Sequence, residues 1–116
     1  MSMMMERSNM EFVDRTIASC RDTRDICVET VMHGIKMGGE RSQMDVLGVL
    51  MDAAGIAELC ERYMLRGSPY LRRIIPAADE VFDSAARTCD TIRGDEFFAT
   101  AAKSLRNTAS NLRQIG

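Results

Sequence analysis

Tryptophan is absent from this chain, aromatic residues amount to 5% of it, and histidine occurs once, as His33. A core so poor in rings must be filled by aliphatic side chains and by methionine, of which there are 10. A lone His leaves no room for the two Glu-x-x-His pairs that a ferritin-like di-iron site takes from facing helices. It also leaves little for a His-based triad, since its nearest helical partner is Glu29, a surface i,i+4 pair. No glycine-rich phosphate loop occurs, because Gly34, Gly38 and Gly39 gather at a helix end without the strand such a loop follows. Period-two alternation and Asn-Gly hairpins are missing too, which sets sheet architectures aside. No run approaches the length of a membrane span, and the start, Met1 to Met10, contains Glu6 and has no secretory apolar stretch. The residues carry no catalytic constellation, so the expectation is a non-enzymatic, cytoplasmic protein.

Charge narrows the partners. Net charge is −2 with a pI near 5.4, so no overall basic field recruits nucleic acid. Arg greatly outnumbers Lys, but the Arg residues alternate with Asp and Glu as on a solvated helical surface. An apolar fraction of 46% and a charged fraction of 28% fit a globular chain, and 116 residues suffice for one domain with a real core. Four scattered cysteines in a reducing compartment are expected as thiols rather than as a disulfide framework.

Three breaks divide the chain into four helical segments. Gly38-Gly39 is the first. Gly67-Ser68-Pro69 is the second, with Ser68 as N-cap and Pro69 in the first helical position. The third is Arg93-Gly94-Asp95, with Asp95 capping the last helix. Helices are expected at roughly 10–37, 42–66, 69–92 and 95–114, within a single 1–116 domain. Short connections between long helices favour antiparallel neighbours, hence an all-α, up-down-up-down four-helix bundle. Pro76 is the discordant residue and should kink the start of helix 3.

Each segment carries a stripe at steps of three and four. Helix 1 has Val13, Ile17, Cys20, Arg24, Cys27 and Val31, and helix 2 has Val46, Leu50, Ala53, Ala57, Cys60 and Met64. Helix 3 has Leu71, Ile75, Ala78, Phe82, Ala85, Cys89 and Ile92, and helix 4 has Phe98, Ala101, Leu105, Thr108, Leu112 and Ile115. All four cysteines fall on these inward stripes, where a free Cys also serves as a small hydrophobe.

The segment from Met51 through Pro69, MDAAGIAELCERYMLRGSP, is similar to the second helix of the cysteine-rich copper-storage four-helix-bundle family, including the Ser-Pro break before that family's third helix. The register extends along nearly the whole chain. The resemblance implies metal-binding cysteine positions at Ala53 and Ala57, at Ile75, Ala78, Phe82, Ala85 and Cys89, and at Phe98, Ala101, Leu105, Thr108 and Leu112. On helix 1 it implies that Cys20 and Cys27 match two family cysteines, with Ile17, Arg24 and Val31 replacing others, while Cys60 is an addition on the same stripe. The family's His-rich turn before helix 4 is replaced by Thr91-Ile92-Arg93-Gly94-Asp95. In the resembling proteins the bundle is a tube lined with thiolates that stores many Cu(I) ions. A soft ion taking two or three thiolates needs closely stacked cysteines. With Ala, Ile, Leu and Phe at most of these positions, high-capacity storage is not expected to survive.

Two readings of the remaining sulfurs stay open. In one, the chain is a cysteine-depleted bundle with a structural or interaction role, for which a homo-oligomer is one form, and its thiols only pack. In the other, Cys20, Cys27, Cys60 and Cys89 bind Cu(I) at low stoichiometry or sense thiol chemistry. At ~1.5 Å per residue, Cys20 and Cys60 both lie roughly 28 Å from the Gly38-Gly39 end, in a layer with Ile75 and Leu112. They would form a two-coordinate Cu(I) site with Met64 as a weak third ligand. Cys27 lies roughly 18 Å down, with Ala53, Phe82 and Leu105, and Cys89 roughly 6 Å down, near His33 and Met37 as auxiliary ligands. Arg24, on a core stripe, must reach solvent past Thr108, bond a carboxylate such as Asp79, or serve a subunit contact or anion site. The Met-rich start (Met3, Met4, Met5 and Met10) extends helix 1, frays, or offers thioethers to Cu(I).

Overall fold

The computed structural model describes residues 3–115, with side chains from residue 9 onward. Its order is α1 (Met3–Met37), a single 3-10 turn (Gly39–Ser42), α2 (Met44–Arg66), α3 (Leu71–Asp90) and α4 (Glu96–Ile115), with no strand among the described residues. Each helix packs on the one before it, and α4 closes the ring against α1, while α1 and α3, like α2 and α4, stand diagonally across the core. This is the antiparallel four-helix bundle. The 35 residues of α1 make a rod of about 52 Å, nearly the full 55 Å of the molecule, so its N-terminal turns run past the ends of the shorter helices. The helix begins at Met3, so the Met-rich start is helical. Met10 is exposed, and the side chains of Met3, Met4 and Met5 lie outside the described residues.

The breaks follow local chemistry. Gly67 adopts the left-handed conformation (φ 63°, ψ 37°), and its N–H and that of Ser68 bond back to the Met64 and Tyr63 carbonyls, closing α2. Ser68 and Pro69 do not open α3 directly. Ser68 Oγ accepts the Tyr70 N–H at 3.2 Å, and a turn over Pro69 and Tyr70 carries the chain round before the helix starts at Leu71. Pro76 is exposed on the outer face of α3, so its ring meets no neighbouring helix. Gly34 is needed for a different reason: a Cβ there would collide with the Arg41 carbonyl oxygen, where the 3-10 turn folds back on α1.

Small residues let the helices approach. Ala53, Ala57, Ala78, Ala85 and Ala101 are fully buried, and Phe82, Phe98, Leu50, Leu105 and Leu112 fill the space between them. Two of the four phenylalanines therefore serve as the main packing pieces in a core otherwise built from alanine, aliphatics and thiols. Burying each large side chain stabilises the bundle by about 1.5–3 kcal/mol.

The stripe on α1 differs from its expected form. Thr16, Thr23 and Thr30, seven residues apart, are fully buried beside Ile17, Cys20, Cys27 and Val31, whereas Arg24 is not in the core. The threonines face α4. Thr23 Oγ1 bonds Thr108 Oγ1 at 2.8 Å and Ser104 Oγ at 2.7 Å, and Ser19 Oγ bonds Thr108 Oγ1 at 2.5 Å. Thr16 and Thr30 donate to the carbonyls of Phe12 and Ile26 one turn earlier. Among the described residues no buried side-chain polar atom is left without a partner. The α1–α4 seam is thus a satisfied hydroxyl ladder, and apart from Glu61 the rest of the buried interior is built from apolar side chains and thiols.

Candidate functional site

The four cysteines are free and buried, three of them without exposed surface and Cys89 with 1%. Cys20 on α1 and Cys60 on α2 are close neighbours. Burial pushes the Cys20 thiol up to about 12, and the nearby Cys60 thiol and Glu61 carboxylate add to the shift. Burial alone raises Cys60 to about 11. Cys27 on α1 and Cys89 on α3 face the core from diagonally placed helices. Burial raises Cys27 to about 12, and Cys89 opposes its ionisation further. Cys89 is raised to about 12 by burial and by Asp90, with Arg106 pulling the other way. Sequence depth alone had set Cys27 and Cys89 apart. The difference in height is smaller than that, because Asp95, in the turn after α3, meets His33, a full turn before α1 ends at Met37. The α3–α4 turn therefore lies below the tip of α1, and Cys89 with it.

Of the four thiols, Cys89 borders a surface groove of about 430 Å³, lined also by Asp90, Ile92, Arg93, Asp95 and Glu96. Met64 is buried one turn beyond Cys60, whereas Met37 is 58% exposed at the tip of α1.

His33 has a different partner from the one expected. Its Nε2 bonds Asp95 Oδ2 at 2.8 Å rather than Glu29, and its ring stacks on Phe97 with centroids 4.0 Å apart. Arg41 reaches the same carboxylate oxygen at 2.7 Å. The other oxygen of Asp95 accepts the Phe97 and Phe98 amides, the expected N-cap of α4. Burial works against the ionised form of Asp95, but the Arg41, His33 and Phe98 hydrogen bonds outweigh it and hold the carboxyl at about 2. The tip of the bundle is thereby tied together: α1 and the 3-10 turn converge on the first residue before α4.

Arg24 lies in the groove between α1 and α2 and not past Thr108. Asp79, the carboxylate suggested for it, instead pairs with Arg113. The partners of Arg24 are Asp25 at 3.0 Å, Glu61 at 3.2 Å and Glu58 at 3.7 Å. Glu61 is itself buried and is also held by Arg21 at 2.8 Å. Its role was missed in the sequence reading, which followed the apolar stripe through Cys60 and passed over the carboxylate beside it. The threonine ladder was missed similarly, although the Thr16, Thr23, Thr30 spacing of seven is a readable signal of one buried face.

At the positions where the resemblance places storage cysteines, Ala53, Ala57, Ala78, Phe82, Ala85, Phe98, Ala101 and Leu105 are all fully buried, and none offers a donor for a soft ion. Thr108 has a hydroxyl, but the seam occupies it. Among the described residues no cluster of three or more His, Cys, Asp or Glu side chains is placed to hold an ion together. None of the described helices is long and apolar enough to cross a membrane.

No curated protein matches the chain. Among solved structures, the crystal structure of the Nmul_A1745 protein from Nitrosospira multiformis superposes with a TM-score of 0.83, covering 90% of this chain and 94% of that one at 23% identity. An identity that low speaks for a common fold and no more. The family model described as Copper storage protein matches residues 7–115, nearly the whole bundle, and its members are storage proteins rather than a class of enzyme. With four buried cysteines where a thiolate lining would stand, the chain belongs to the copper storage protein family as a cysteine-depleted member.

Proposed function

We propose that this protein is a non-enzymatic, one-domain bundle of the cytoplasm that has exchanged high-capacity Cu(I) storage for a structural or interaction role. One observation carries the reading: most of the lining positions are filled by buried side chains with no donor atom, so most of the space that ions would occupy is taken by hydrocarbon. Removing that filling to admit ions would uncover the apolar contacts that hold four amphipathic helices together.

A second reading is favoured by the pairing of the thiols. Cys20 on α1 and Cys60 on the adjacent α2 would give one bis-thiolate site, Cys27 and Cys89 are the remaining donors, and two-coordinate sulfur suits Cu(I). Met64 could assist that site, and His33 and Met37 are nearest in sequence terms to the mouth above Cys89. Each Cu(I) would displace two protons from strongly protonated thiols, so its affinity would rise with pH. Titrating the reduced protein with Cu(I) against a chromophoric chelator tests both readings. Binding of no more than two equivalents per chain supports loss of storage, and a capacity well beyond the four thiols would refute it. A tight equivalent that disappears in Cys60→Ser supports the paired site. A wild type with no tight equivalent ends that second reading and leaves the first.

A further inference from the structure

We infer that the surface groove between α1 and α4 binds a short extended peptide with free ends, its ammonium group at Asp22 and its carboxylate at Arg15. No thiol lines this groove, so the inference stands apart from the fate of the copper lining.

The groove holds about 460 Å³, within the range of small-ligand sites. Ser19 and Ser104, the outer members of the hydroxyl ladder, line it where the two helices meet. Arg15 and Asp22 enter it from α1, and Asn107 and Asn111 from α4. Among the described residues, no ion pair and no side-chain hydrogen bond engages any of these four. Arg15 is ordered all the same. Its guanidinium lies over the Phe12 ring, 5.7 Å from the centroid, and keeps its N–H groups for a carboxylate.

The spacing names the ligand. The Ser19–Thr108 and Thr23–Ser104 bonds fix α1 against the antiparallel α4, so that both asparagines fall between the two charges along the groove. Asn107 and Asn111 stand about one turn apart, ~6 Å along the axis. An extended peptide presents a carbonyl and an N–H to the same side at every second residue, a repeat of ~6.7 Å. A carboxamide donates to the one and accepts from the other, so each asparagine can hold one such residue. Arg15 and Asp22, seven residues apart, are separated by ~10.5 Å along α1, close to the ~10 Å span of three extended residues. A tripeptide with both ends ionised therefore partners all four groups at once. A sugar or a peptide with blocked ends leaves the two charges without partners.

The test is titration of the isotope-labelled protein with triglycine, read from amide chemical shifts, with circular dichroism melts to confirm that each variant is folded. Triglycine should bind in about the millimolar range, as suits a ligand of its size, and should move resonances of the α1–α4 groove. Asp22→Asn should weaken triglycine by about 5- to 10-fold but leave the weaker binding of N-acetyl-triglycine unchanged. Arg15→Gln should do the same, with triglycine amide as the indifferent ligand. Asn111→Ala should weaken all three peptides. No saturable shift in the groove at tens of millimolar triglycine overturns the inference, as does glucose binding there more tightly than the peptide. Peptides with blocked ends that bind as tightly as triglycine overturn the assignment of Asp22 and Arg15 to the two termini.

Discussion

Asp95 ties three segments of the molecule together. It caps α4 with one oxygen and gathers His33 and Arg41 with the other, so three segments meet on one carboxylate. Because its carboxyl titrates at about 2, below its unfolded value, the stabilisation it provides is complete above about pH 4 and is lost as the pH falls toward 2. Asp95→Asn keeps a capping oxygen but removes the charge. Chemical denaturation should find the variant less stable at neutral pH by about 1–2 kcal/mol, and less sensitive than the wild type to acidification between pH 4 and pH 2. Equal slopes for both proteins in that window would refute this role. The capping function was legible in the Arg93-Gly94-Asp95 break, since a short acidic side chain before a helix has an obvious task. Its long-range partners were not legible: Arg41 and His33 lie 54 and 62 residues away in sequence, and only folding makes them neighbours.

Among the elements, α1 and α4 share the least conventional contact. Elsewhere the buried contacts are mostly alanine, aliphatic, phenylalanine and cysteine side chains, with ion pairs at the margins, but this seam runs through hydroxyls that satisfy one another. Thr108 stands at its centre, bonded to both Ser19 and Thr23. Thr108→Val preserves shape and removes those bonds, leaving Ser19 Oγ without its partner. Urea unfolding should show a loss of about 1–3 kcal/mol, more than an isosteric exchange at an apolar core position would produce. A change below a few tenths of a kcal/mol would mean that water replaces the hydroxyl without loss. The helices themselves were readable from periodicity and from glycine breaks. Which residues of α1 turn inward was only partly readable, because threonine is equally at home on a surface. Arg24 fell on the assumed stripe but left it, since the carboxylates of Glu58 and Glu61 on α2 offer a guanidinium far more than a hydrocarbon layer does.

For the whole molecule, the four thiols report on the integrity of the core. Raised to about 11 or 12 by burial, they hold their protons at neutral pH and are shielded from reagents. Alkylation of the native protein at pH 8 should therefore be at least about 100-fold slower than that of an unfolded thiol, and should accelerate in urea along the unfolding curve. The folded values lie above those of free thiols, so the unfolded chain loses its thiol protons first. Stability should accordingly decline as the pH rises above about 9, and replacing Cys60 with Ala should soften that decline. Rapid labelling of the folded protein at neutral pH would contradict a closed core.

Helical periodicity and Gly and Pro punctuation were enough to specify four antiparallel helices, and the resemblance carried by Met51 through Pro69 marked the storage lining as mostly replaced. Those features are local, and their physical content is carried within a few turns of chain. Folding alone settled how α1 overshoots the α3–α4 turn, which thiols face one another, and where Arg24, His33 and Glu61 find their partners. Such matters depend on the relative heights of packed helices and on side chains that meet across the bundle. An error of one turn, about 5.4 Å, is small on a helix but large enough to exchange one partner for another.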